Sequence, residues 1–163
     1  MTLKVLKFGG SSVGSAAALR RAAAIVKQEI PQGGLVVVSA LKGTTDRLLE
    51  AAAAAGRGEV DRARALSEAI RHHHQEVAFE LGLGGLVEGP WGPLLTRLSN
   101  LLEGLSLLGE CSPRSRDAVL VLGETLSAHL FAALLAKEGL HGEFQDVKAI
   151  MATDGRHGRA RPG

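Results

Sequence analysis

Val5-Leu6-Lys7-Phe8-Gly9-Gly10-Ser11-Ser12-Val13 lies at the start of the chain, and its reading decides the fold. A short apolar-rich run ends in two glycines, so the stretch reads as a strand running into a tight turn. Ser15 can cap the helix that follows, in which Leu19, Ala22, Ala23, Val26 and Ile30 recur at helical spacing. Pro31-Gln32-Gly33-Gly34 breaks that helix. Leu35 to Val38 is then a continuous aliphatic run, the pattern of a strand buried on both faces. Strand, helix and strand in this order predict a parallel βαβ unit.

Further along, Ser39-Ala40-Leu41-Lys42-Gly43-Thr44-Thr45 reads as a loop entering a helix with Leu48, Leu49 and Ala52. A helix from about Asp61 to Leu81 carries Leu66, Ile70, Val77 and Leu81 on one face. Gly82 to Pro90 is a glycine-rich connection, and the next helix uses Leu94, Leu98, Leu101, Leu105 and Leu108. Ser112-Pro113 is an N-cap followed by proline at the first helical position. The apolar pattern from there runs through Val119, Leu122, Leu126, Leu130 and Ala133 and stops at Gly139. A last strand is expected near Phe144 to Val147. The whole reads as one α/β unit with a mostly parallel sheet, and three strands with about five helices leave it unfinished.

Composition narrows the function. The chain has 163 residues, 45% hydrophobic and 22% charged, which is ordinary for a globular domain. Aromatics are only 3%, and the basic residues are mostly scattered next to acids, so nothing marks a nucleic-acid surface. A sequence pI of about 9.0 owes part of its value to Arg156, Arg159 and Arg161. The single Cys111 excludes an intramolecular disulfide and reads as a small hydrophobe. No signal-like apolar region precedes the first strand, and no uninterrupted apolar run is long enough to span a bilayer. The expectation is a cytoplasmic protein with neither nucleic-acid nor membrane partners.

Three stretches carry chemistry. In Lys7-Phe8-Gly9-Gly10-Ser11, a lysine at a strand end precedes a small-residue loop and a helix. Such a loop exposes backbone N–H groups in front of the positive helix end and suits an anion. The lysine can neutralise charge on a phosphoryl group, although a plain tight turn is the commoner use of paired glycines. The order differs from G-x-x-x-x-G-K-S/T and from G-x-G-x-x-G. Ser39 and Thr44-Thr45-Asp46 fall at the same carboxyl edge of the predicted sheet, where open α/β folds bind ligands. Their hydroxyls can orient a small polar substrate, or simply end a strand and cap a helix. Gly123-Glu124 interrupts a good helical pattern at a cost of about 1 kcal/mol. Either something approaches Gly123 closely, or the helix breaks and presents Glu124 to a cleft.

These residues, in this order, resemble the aspartate kinases. Lys7 to Val13 is similar to the family's opening K-F-G-G-S/T-S-V signature, and Val36-Val37-Val38-Ser39-Ala40 with Gly43, Thr45 and Asp46 resembles its second motif. Asp117, Gly123-Glu124 and Leu126-Ser127 resemble the third. Thr153-Asp154 and Gly158-Arg159-Ala160-Arg161-Pro162 resemble the segment after it, with His157 where the family usually has Phe.

The resemblance implies a three-layer α/β/α amino-acid-kinase fold and phosphoryl transfer from ATP, with Mg²⁺, to the side-chain carboxylate of L-aspartate. It implies that Lys7 contacts the transferring phosphoryl group, while Gly9, Gly10 and Ser11 hold phosphate oxygens. It further implies that Ser39, Thr45 and Glu124 position aspartate, with Glu124 reading the ammonium group. Aspartate kinases are longer, so residues 1–163 read as the amino-terminal portion of the catalytic domain, truncated before the regulatory ACT domains, inactive alone and prone to self-association as a homo-oligomer. A non-catalytic binding module that keeps half of the fold, or another amino-acid kinase such as a glutamate or acetylglutamate kinase, is the alternative.

Two further features are read as structural. Consecutive helical residues His72-His73-His74 point about 100° apart and cannot converge on one metal. His73 shares the face of Ile70 and Val77 and is expected in the core. Gly82-Leu83-Gly84-Gly85 has no strand before it and reads as a connection between helices.

Overall fold

A computed structural model of the chain describes residues 3–149. Strand β1 (Val5–Phe8) and strand β2 (Leu35–Val38) pair in parallel, with Val5 opposite Leu35 and Phe8 opposite Val38. Helix α1 (Ala16–Glu29) makes the crossover. It begins where predicted, the Ser15 hydroxyl accepting the Ala18 amide at 3.2 Å, and buries Leu19, Ala22, Ala23 and Val26.

β2 is not buried on both faces. Leu6, Phe8, Val36 and Val38 turn toward the helices, whereas Val5, Lys7, Leu35 and Val37 share the other face, and Val5 is 55% and Val37 41% exposed. The helices of the described residues pack on one side only, so alternation decides exposure within an aliphatic run.

The strand expected at Phe144 to Val147 is not formed. Residues 141–146 have no regular structure, and Val147–Ala149 is a 3₁₀ turn. The chain leaves α5 (Pro113–Lys137) and lies back along it. A Cβ at Gly142 would stand 2.8 Å from both Ala132 O and Leu135 Cβ, and the Phe144 ring stacks on His129 at 3.9 Å. Those contacts hold the segment to the helix rather than to the sheet.

Helices α2 (Thr44–Gly56), α3 (Val60–Glu80) and α4 (Trp91–Leu108) form the middle of the chain. Alanines Ala51, Ala52, Ala54 and Ala55 let α2 sit close to its neighbours in a core with Ile70, Leu98, Leu102 and Val119. A second core joins the inward sheet face, α1, Val77, Trp91 and Leu130. α5 runs through both cores. Ser112 caps it by accepting the Ser115 amide at 3.1 Å, with Pro113 next, and Gly139 at φ +81° follows its end. Contrary to the reading of uninterrupted runs, α5 is long and apolar enough by hydropathy to cross a bilayer. Here nine of its residues, Leu122, Leu126 and Leu130 among them, are buried within the fold.

The core histidine is His74, not His73. Both positions satisfy the spacing from Ile70 to Val77, and side-chain direction selects the one on the inner face. His74 is 1% exposed, its Nδ1 lies 2.8 Å from Ile70 O, and its ring meets Trp91 edge-on at 5.7 Å. Burial lowers its pKa to about 4.

Candidate active site

The parallel pairing of β1 and β2 brings two loops to one edge. Lys7 is exposed next to the end of β1. Beyond it the Ser12 amide donates to Gly9 O at 2.9 Å, folding the glycines into a turn in front of α1. Among the described residues, the Gly10 and Ser11 amides donate to no protein oxygen. Two open N–H groups before a helix start are the donor set that an oxyanion needs.

The second loop lies directly beside the first. The Ser39 amide donates to Phe8 O at 3.1 Å, and a Cβ on Gly10 would stand 3.6 Å from Ala40 O and 3.9 Å from Ser39 Oγ. α2 is preceded by Gly43 at φ +78°, with no side-chain cap. Neither threonine is therefore spent on capping. Thr45 is exposed at the first turn of α2, while Thr44 is buried and its Oγ1 has no partner among the described residues.

α5 supplies the third part. The helix is unbroken at Gly123, so close approach is the reason for this glycine. A Cβ there would fall 2.9 Å from Leu48 Cδ1, 3.1 Å from Thr44 Cγ2 and 3.3 Å from Ala40 Cβ. Ala40 is thus flanked by Gly10 on one side and Gly123 on the other. The next residue, Glu124, is exposed and lines a groove of about 600 Å³ together with Lys7, Ser39 and Thr125. Phe131, Leu135 and Phe144 contribute apolar walls. His129, stacked on Phe144 and on the same helix as Glu124, has its pKa lowered by burial.

The structure therefore gathers Lys7, Ser39 and Glu124 on one groove, with Gly9, Gly10, Ser11 and Thr45 at the adjoining edge. Sequence reasoning passed over Gly14 and gave Ser127 no role beyond its place in the third motif. A Cβ at Gly14 would meet Lys42 Cβ at 2.9 Å, and Ser127 is fully buried one turn beyond Gly123, with an unpartnered Oγ. A glycine immediately before a helix cap was the only signal for Gly14. Thr153, Asp154, His157 and Gly158 to Pro162 lie outside the described residues.

Residues 2–161 match the amino acid kinase family. The chain belongs to that family.

Among relatives of this amino acid kinase chain, the aspartokinase of Chlamydia muridarum is 34% identical over 158 residues, covering 97% of the chain and 33% of the relative. Chloroplastic aspartokinase 3 of Arabidopsis thaliana is 38% identical over 138 residues, covering 83% and 24%. The crystal structure of Escherichia coli aspartokinase III in complex with aspartate and ADP superposes with a TM-score of 0.87 at 31% identity, covering 99% of this chain and 35% of that one. The α/β fold with a parallel sheet is shared with that enzyme. The chain spans about a third or less of the length of the curated relatives it matches.

Proposed function

We propose that this chain provides the phosphate loop and the aspartate-binding wall of an aspartate kinase, which forms 4-phospho-L-aspartate from ATP and L-aspartate. The observation that carries the reading is the shared groove, with a cation at one strand end, Lys7, and a carboxylate on α5, Glu124. On such a groove a substrate ammonium can pair with Glu124 while the phosphoryl group moving to its carboxylate meets Lys7. Relatives named aspartokinase support the choice of amino acid, as does a neighbouring structure described as holding aspartate and ADP.

An aspartate carboxylate is already ionised at neutral pH and needs no general base to act as a nucleophile. The chemical demand is alignment of two anions and neutralisation of the charge that builds between them. In this reading Lys7 meets the transferring phosphoryl oxygens, and the open Gly10 and Ser11 amides hold the phosphate behind it. Ser39 and Thr45 orient the substrate, whose ammonium pairs with Glu124. Mg²⁺ would supply further neutralisation of the phosphate charge when bound. Among the described residues no three His, Cys, Asp or Glu side chains gather into a metal cage.

Hydroxylamine trapping of the acyl phosphate, run on protein carrying this chain, tests the reading. Product that requires both ATP and aspartate and disappears with Lys7→Ala supports it. Product from glutamate or acetylglutamate instead would assign another amino-acid kinase. Aspartate that neither binds nor reacts would leave a non-catalytic module. The 163-residue chain alone, which spans about a third of the length of the Chlamydia muridarum relative, is expected to trap little product.

A further inference from the structure

Lys42 belongs to none of the roles assigned above, yet the fold fixes its position closely. It is the second residue of the turn Leu41-Lys42-Gly43-Thr44, closed by the Thr44 amide donating to Leu41 O at 3.0 Å. Gly43, at φ 78° and ψ −6°, has the third-position geometry of a type II turn, which requires glycine or a similarly tolerant residue. The lysine stem lies on Gly14. A Cβ at that glycine would stand 2.9 Å from Lys42 Cβ, 3.6 Å from Lys42 Cδ and 3.0 Å from Gly10 O. Gly14 is therefore glycine because the lysine and the phosphate loop fill the space. Among the described residues the Lys42 ammonium has neither an acidic partner nor a hydrogen bond.

We propose that Lys42 is a second cation of the phosphate site and contacts oxygens of a nucleotide phosphate chain held at Gly9 to Ser11. The proposal rests on the phosphate-loop reading and extends it. Lys7 lies at the end of β1 just before the loop, and the Lys42 stem lies on Gly14 just after it, so the loop is bracketed by two lysines. A polyphosphate carries enough charge to engage both, through charge-assisted contacts with little desolvation at an exposed site.

Inorganic tripolyphosphate titrated into the 163-residue chain, followed through the amide ¹⁵N–¹H shifts of Gly9 to Gly14, provides the test. Lys42→Met keeps the stem on Gly14 and removes the charge; it is expected to weaken binding roughly five- to twentyfold and to flatten the salt dependence. Lys42→Arg should stay within about threefold of the parent, since charge is retained. Unchanged thermal melting of both variants would show that the loss is not one of folding. Parent-like binding by Lys42→Met, alongside weakened binding by Lys7→Ala, would overturn the role of Lys42 while leaving the phosphate loop standing. An equal loss in Met and Arg variants would overturn the charge argument. No shifts at Gly10 and Ser11 in the parent chain would overturn both readings together.

Discussion

Gly123 lies against Ala40: a Cβ on the glycine would come within 3.3 Å of the alanine Cβ, with Thr44 Cγ2 and Leu48 Cδ1 nearer still. That contact brings α5 onto the loop after β2, and Glu124 and Ser39 line one groove. Gly123→Ala would gain about 1 kcal/mol of helix propensity, but overpacking costs typically 1–3 kcal/mol. Leu48 can yield, whereas Ala40 has no side-chain torsion with which to move. The expected outcome is a net loss of about 1 kcal/mol in urea unfolding and a weakened response to aspartate. A variant more stable than the parent would show that the contact is loose.

Lys7 and Glu124 are both exposed, so their replacement should leave the fold intact. Lys7→Ala is expected to abolish acyl-phosphate formation in protein carrying this chain, because charge on the phosphoryl group is then unscreened. Glu124→Gln should chiefly raise KM for aspartate, since the amide keeps the shape and loses the ion pair. Steady-state kinetics with hydroxylamine trapping separates the two effects, and a Lys7→Ala enzyme that turns over normally would remove Lys7 from the mechanism.

His74 makes stability depend on pH. Its folded pKa of about 4 lies below the ordinary value near 6.5, with burial as the main cause and the charges of His73 and Arg47 as lesser ones. In that window the unfolded chain binds the proton and the folded chain does not. Stability is therefore fully present above about pH 6.5 and is lost as pH falls toward 4, by roughly 3 kcal/mol at the lower end. His73 and His129 shift in the same direction and add to the slope. Urea unfolding read by the single Trp91 between pH 4 and 7 measures it, and His74→Leu should remove close to one proton from the linkage.

Trp91 is fully buried, and its Nε1 donates to Leu126 O at 3.1 Å. Trp91→Phe removes that hydrogen bond and leaves space beside His74, so a loss of about 2–3 kcal/mol is expected. Thermal unfolding followed by circular dichroism checks it. A change below about 0.5 kcal/mol would mean that the core closes around the smaller ring.

Much of the fold was legible because local chemistry and tertiary demand agree. Ser15 and Ser112 cap helices as their sequence context predicts, Gly43 and Gly139 adopt positive φ, and the Gly9-Gly10 turn follows a strand end. The candidate site was legible in its residue types, since a lysine before a glycine loop and a costly glycine beside a glutamate are both local anomalies. Three readings failed where periodicity leaves a choice. An aliphatic run does not say whether one or both faces are covered, and β2 has one. Spacing alone admits His73 or His74. Phe144 to Val147 has strand-like composition, but Gly142 and Phe144 are engaged with α5.

By itself the sequence determined the parallel βαβ unit, the helix limits and the residue types from which the proposed site is drawn. Turn geometry, capping and amphipathic spacing are short-range properties, and they are written where they act. Only the tertiary structure decided what those residues meet. Gly123 against Ala40 and Thr44, Gly14 against Lys42, and Lys7 with Glu124 on one groove are contacts between positions far apart in the chain. Such contacts depend on how helices pack on a sheet, and no local pattern along the chain encodes that packing.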